Sequence, residues 1–290
     1  MSPVQTEAPR VRWRSTSGRI PSVGTVARTT ILTTLALIVI APIVWTVLSS
    51  FKSRSELARR PPTVLPESWV FGNYGGALGS FDFLTYLSNS VIVTLGATAL
   101  TLTINSMAAY ALAKYNFRGR DTLFLITLAT IMVPLQVIFI PVYQMVSQLG
   151  LANSLLGMII PPAATPTGVF LLRQYMLTIP DETIEAARID GAGEFTIFRR
   201  VVLPLCVPAL AVLTIFSVIW RWNDFLWPLI VAQDESVYTL PVALARFSSQ
   251  QVIPFNLVLA MSVLSMVPVV IMFLFLQRQI MRGIANTGLK

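Results

Sequence analysis

The chain has 290 residues, of which 54% are hydrophobic and only 12% charged, with 21 Lys plus Arg against 13 Asp plus Glu and no histidine. A soluble domain carries about 25% charged residues, so a water-soluble globule is excluded. So are histidine-dependent zinc sites and serine–histidine triads. The single cysteine, Cys206, has no partner for an internal disulfide.

In chain order, residues 1–28 read as a polar, Arg- and Ser-containing disordered tail. Uncharged apolar stretches then mark membrane spans, each needing about 20 residues. The first span covers 29–51 and the second 87–111. No charge occurs from Thr122 to Leu172. As one helix that stretch would reach roughly 77 Å, more than twice the hydrocarbon thickness, so it must fold back. The run Gly150-Leu151-Ala152-Asn153-Ser154 is the turn. This places the third span at 123–146 and the fourth at 155–176. A fifth covers 207–231, interrupted by Arg221 and Asp224, and a sixth 255–277. Continuous apolar runs exclude a strand barrel, which alternates apolar and polar residues. The fold class is therefore an all-α polytopic membrane protein with six transmembrane helices.

Six spans put both ends on one side. With both termini in the cytoplasm, fifteen basic residues fall in inner segments and five in outer ones, which favours the N-in, C-in orientation. The excess positive charge is then an orientation signal, and no nucleic-acid partner is needed. Residues 52–86 form an outer loop, 177–206 an inner loop, and 286–290 a short cytoplasmic tail.

The inner loop reads PDETIEAARIDGAGEFTIFRRVVLP over 180–204. Pro180 opens a helix, and Asp181 and Glu182 suit its positive end. Gly191 is placed to stop it in a left-handed cap. A second helix then carries Phe195, Phe198 and Val202 on one face until Pro204. The expectation is an amphipathic helical hairpin, charged at its tip.

Glu185-Ala186-Ala187, three residues, Gly191, nine residues, Val201, one residue and Leu203-Pro204 reproduce the EAA loop of binding-protein-dependent ABC importer permeases. The segments at 50–78, 109–120, 132–161 and 220–229 are similar to sugar-type permeases. The resemblance covers most of residues 30–285, and the chain resembles the shorter six-span subunit of the maltose-type carbohydrate importers. The tail GIANTGLK and the first 28 residues depart from that pattern.

This resemblance implies an ATP-driven import permease for a sugar or oligosaccharide in a prokaryotic inner membrane. Its implied partners are a second permease, two cytoplasmic ATPase subunits, an extracytoplasmic solute-binding protein and membrane lipid. The sequence has no Gly-Lys dipeptide and so no phosphate loop. The subunit is accordingly read as no enzyme, binding no cofactor or metal itself, with ATP and Mg on the partner ATPases. Carried over from the family, Glu185, Ala186, Ala187 and Gly191 are the ATPase-coupling positions, with Arg188 and Asp190 beside them. Candidates for the substrate path are Arg221, Trp222, Asn223 and Asp224, because intramembrane charges face a bundle interior or a water-filled cavity. Arg221 and Asp224, three apart, are expected to share a helix face and pair. Asn105 and Gln136 either bridge helices or line the path. Pro134, Pro141, Pro161, Pro162 and Pro166 are expected to kink or break helices. The alternatives are an ABC permease for glycerol phosphate or a related phosphodiester and an ion-coupled secondary transporter.

Overall fold

The computed structural model describes residues 23–249 and 254–287. Most of residues 1–28 and part of the tail 286–290 lie outside that range. The chain divides into two compact units, residues 1–46 and 47–290. The described residues of the first unit, 23–46, belong to α1, Val23–Ser50. Residues 23–28, within the tail expected to be disordered, are helical. Ile31, Leu35, Ile38 and Val39 stand exposed on α1. Such a fully apolar exterior suits lipid, not water.

The regular elements of the second unit, among its described residues, are all helical: α2 (Arg54–Leu57), α3 (Gly72–Gly79), α4 (Phe83–Lys114), α5 (Arg120–Ala129), α6 (Leu135–Gln148), α7 (Leu155–Ile159), α8 (Pro166–Met176), α9 (Asp181–Ile189), α10 (Glu194–Ile197), α11 (Leu203–Leu205), α12 (Val207–Trp222), α13 (Leu226–Val231), α14 (Leu240–Ser249) and α15 (Phe255–Thr287).

Helix α4 is the spine of this unit. Asp82 caps it by accepting from the Thr85 N–H at 3.3 Å, and it then runs 32 residues without a break. Its buried face is made of small and hydroxyl residues, among them Ser90, Thr94, Ala97, Thr98, Thr101, Ala109 and Ala113. Small side chains let helices approach closely, and hydroxyls bond across the contact. Thr98 shares a hydrogen bond of 2.9 Å with Ser217 of α12. On α8, Gly168 sits so near Asn105 and Thr165 that no Cβ fits there.

Three pairs of helical segments are bent where they join: by 105° between α5 and α6, by 46° before α8, and by 78° between the segment Glu194–Leu205 and α12. Prolines mark the first two places. Val133 and Thr165 precede Pro134 and Pro166, and both take extended backbone, as the ring of a following proline demands. At Gly150–Ser154, expected as the turn, α6 has ended and α7 has not begun, and Gly150 and Asn153 adopt positive φ.

Three buried clusters result among the described residues, the smallest of them Leu112, Phe124 and Val169 between α4, α5 and α8. One gathers the Phe83 end of α4 with α7, α13, α14 and α15 around Trp227, Leu240 and Met261. Another joins the Lys114 end of α4 to α8, the 177–206 loop and the start of α12.

Candidate functional site: the 177–206 hairpin and the break in the fifth span

The loop folds as a hairpin on the Lys114 end of α4. Pro180 is the N-cap of α9, and Asp181 and Glu182 occupy its first turn. Gly191 closes it at φ +79°, where its N–H donates to the Arg188 carbonyl at 3.0 Å. Only a glycine takes that conformation without strain. Ile184, 2% exposed, is the buried anchor. Glu185, Ala186, Arg188, Asp190 and Gly191 are exposed, while Ala187 is half-buried against the core. Ile189, 86% exposed, adds a large apolar side chain to this outward face.

The second arm differs from the expected single helix. α10 passes into a π-helical turn over Phe198–Val202, and α11 continues through Pro204 to a break at Cys206. A π turn holds more residues per turn than an α-helix, so the buried face shifts. Ile197, Phe198 and Val202 are buried, but Phe195 is 68% exposed.

Polar bonds lock the hairpin to itself and to α4. Glu194 accepts from Arg188 Nε at 2.7 Å and Nη2 at 3.3 Å. It also accepts from the hydroxyls of Tyr115 at 2.6 Å and Tyr110 at 3.4 Å. These donors, Arg188 first and Tyr115 next, hold the Glu194 carboxyl down at about 2. Lys114 Nζ donates at 2.6 Å both to the Ile179 carbonyl and to Asp181. Sequence reasoning missed Glu194, Tyr110, Tyr115 and the bonding role of Lys114. The one local signal was Glu194 in the first turn of a helix, a place any acidic residue favours.

The second candidate region does not form the expected ion pair. α12 ends at Trp222, Asn223 caps it, and Asp224 lies beyond the helix with its carboxylate directed to the Trp227 N–H at 3.5 Å. The helix ends between the two charged residues, so they never share a face. Arg221 instead donates to the carbonyl of Pro162. Arg221 and Asp224 are half-buried, Asn223 is exposed and Trp222 is buried. Asn223 Nδ2 returns to the Ile219 carbonyl at 2.8 Å. Asn105, fully buried, bridges helices: it donates to Thr165 Oγ1 at 2.6 Å and accepts from the Thr165 N–H at 3.1 Å. Gln136 is exposed on α6, in the arm beyond the 105° bend.

Comparison with known proteins agrees with this architecture. The chain is 36% identical over 259 residues to the arabinooligosaccharides transport system permease protein AraQ of Halalkalibacterium halodurans, covering 88% of this chain and 93% of that one. It is 32% identical over 263 residues to the sn-glycerol-3-phosphate transport system permease protein UgpE of Agrobacterium fabrum, covering 87% and 93%. Its fold is similar to a chain in the crystal structure of a bacterial ABC transporter involved in the import of the acidic polysaccharide alginate. There the TM-score is 0.79 at 27% identity, covering 87% of this chain and 95% of that one. Residues 103–286, which hold the hairpin and the break in the fifth span, match one family model. The chain belongs to the binding-protein-dependent transport system inner membrane components.

Proposed function

We propose that this permease imports a sugar or oligosaccharide and forms one half of a pore that a second permease completes. Two ATPase subunits on the cytoplasmic side hydrolyse ATP with Mg, and an extracytoplasmic solute-binding protein delivers the solute. Both termini and the hairpin face the cytoplasm. The observation that carries this reading is the hairpin: Glu185 and Ala186 face outward on a short helix that Gly191 stops abruptly, and its exposed polar and apolar groups suit a protein groove. ATPase closure then becomes rocking of the spans around a central site.

The oligosaccharide reading rests on the relation to AraQ and on the break at the end of α12, where Asn223 and Asp224 follow Trp220 and Trp222 in the sequence, with Trp220 and Asn223 exposed and Trp222 buried. Polar groups next to aromatic rings suit a sugar, which presents hydroxyls around weakly apolar ring faces. The relation to UgpE favours glycerol phosphate as the second reading. A phosphorylated solute calls for free guanidinium groups, and Arg221 has already committed one nitrogen to the Pro162 carbonyl.

The test is ATP-dependent uptake by the full transporter in proteoliposomes, with arabinooligosaccharides and glycerol 3-phosphate offered in parallel. Oligosaccharide uptake that Glu185→Lys lowers by at least about tenfold supports the reading. Uptake of glycerol 3-phosphate alone overturns the sugar assignment. Unchanged affinity and rate in Asn223→Ala and Asp224→Ala remove those positions from the path.

A further inference from the structure

The hairpin is attached to α4 at two points along α9. At the start of α9, Lys114 bonds Asp181 and the Ile179 carbonyl, each at 2.6 Å, with the lysine side chain only 4% exposed. At its end, Arg188 grips Glu194 with two nitrogens while Tyr115 and Tyr110 reach the same carboxylate from α4. Three elements, α4, α9 and α10, therefore meet on one carboxylate. A helix pinned at one point swivels, whereas a helix pinned at both ends passes a push to its support. Between the pins, Ile184, Ile197, Phe198 and Val202 share a buried core with Ala109, Tyr110 and Ala113 of α4. Densely packed interiors transmit displacement instead of absorbing it.

The opposite end of α4 is attached as well. Asn89 Nδ2 donates to the carbonyls of Ser236 at 2.9 Å and Tyr238 at 3.0 Å. Ser90 Oγ accepts from the Leu240 N–H at 2.7 Å. Between these ends α4 is a continuous rod of about 48 Å, unlike the three bent helix pairs.

We propose that Glu194 is a positioning residue that fixes the coupling hairpin to α4, and that α4 relays hairpin motion as a strut to segment 235–240 on the far side. This rests on reading the hairpin as the ATPase contact. Glu194 lies outside the EAA-to-Gly191 core of the motif. Its task is to keep the face that carries Glu185 in fixed orientation to the strut.

The experiment measures uptake and ATP hydrolysis together in the reconstituted full transporter. Glu194→Ala and Tyr115→Phe are expected to leave the ATPase copurifying and hydrolysing, while solute moved per ATP falls about tenfold and severalfold, respectively. An unchanged ratio in both variants overturns the proposal. Uptake and hydrolysis falling in proportion also overturns it, since that marks a brace needed only for folding. Asn89→Ala is expected to lower the same ratio, and an unchanged ratio there overturns the relay to segment 235–240. Glu185→Lys separates the two levels: if the ATPase stays bound and stimulated in that variant, the hairpin is not its contact and the underlying reading fails, whatever Glu194 does.

Discussion

Arg188 with Glu194 and Arg221 with Asp224 are both arginine–carboxylate sets at short sequence spacing, and they behave in opposite ways. Arg188 and Glu194 are six apart, exposed, and joined by a two-pronged bond. Arg221 and Asp224 are three apart, half-buried, and turned to other partners. Backbone decides the difference. Gly191 reverses the chain and brings two helix arms face to face, so a longer spacing closes. Trp222 ends α12, so the shorter spacing opens. Helical periodicity predicts contact only while the helix lasts.

The sharpest way to break the contrast is at the reversal itself. Gly191→Pro imposes φ near −65° where the chain needs +79° and removes the N–H that bonds Arg188. The expected cost is on the order of 3 kcal/mol, from backbone strain and the lost bond. Limited proteolysis should then cut within 187–195, and uptake should collapse. A hairpin as protease-resistant as the parent would show that Arg188 and Glu194 hold the turn without the glycine.

The same contrast explains what was legible in the sequence. The first arm of the hairpin could be read because its signals are local: Pro180, Asp181 and Gly191 each act within one turn of their own position. The breaks before Pro134 and Pro166 were legible as places but not as angles, because the 105° and 46° bends are set by what packs on each side. The end of α12 was hidden, since Asn223 and Asp224 interrupt an apolar run in which the hydrophobic pattern resumes at once with Phe225. Glu194 was hidden for a different reason: its partners on α4 are 79 and 84 residues away, and no local pattern announces them. The partner of Asn105 was hidden in the same way, since Thr165 is 60 residues away.

A smaller effect tests the open pair. If Arg221 and Asp224 were partners, Asp224→Asn would strand a buried guanidinium at a cost of about 3–5 kcal/mol. Since Asp224 instead faces the Trp227 N–H at the start of α13, asparagine keeps an oxygen in the same place. The expected loss is below about 1 kcal/mol. Thermal unfolding of the purified transporter in detergent checks this, and a large drop in Tm would restore the pairing.

The smallest effect belongs to the closed pair near neutrality. Glu194 titrates at about 2 against an ordinary value of 4.5. Its folded pKa is depressed, so its contribution to stability is fully present above pH 4.5 and is lost as pH falls from there through 2. The side chain is 46% exposed, and solvent screening keeps that contribution modest. Hydrogen exchange over 181–198, corrected for the intrinsic pH dependence of exchange, should therefore be flat from pH 8 to pH 5 and quicken only below 4.5. In Glu194→Gln the acid-side change should vanish, leaving exchange faster at every pH. A transition between pH 6 and 7 in the parent would mean that some other group holds the arms together, and the contrast with Arg221 and Asp224 would then rest on the Gly191 reversal alone.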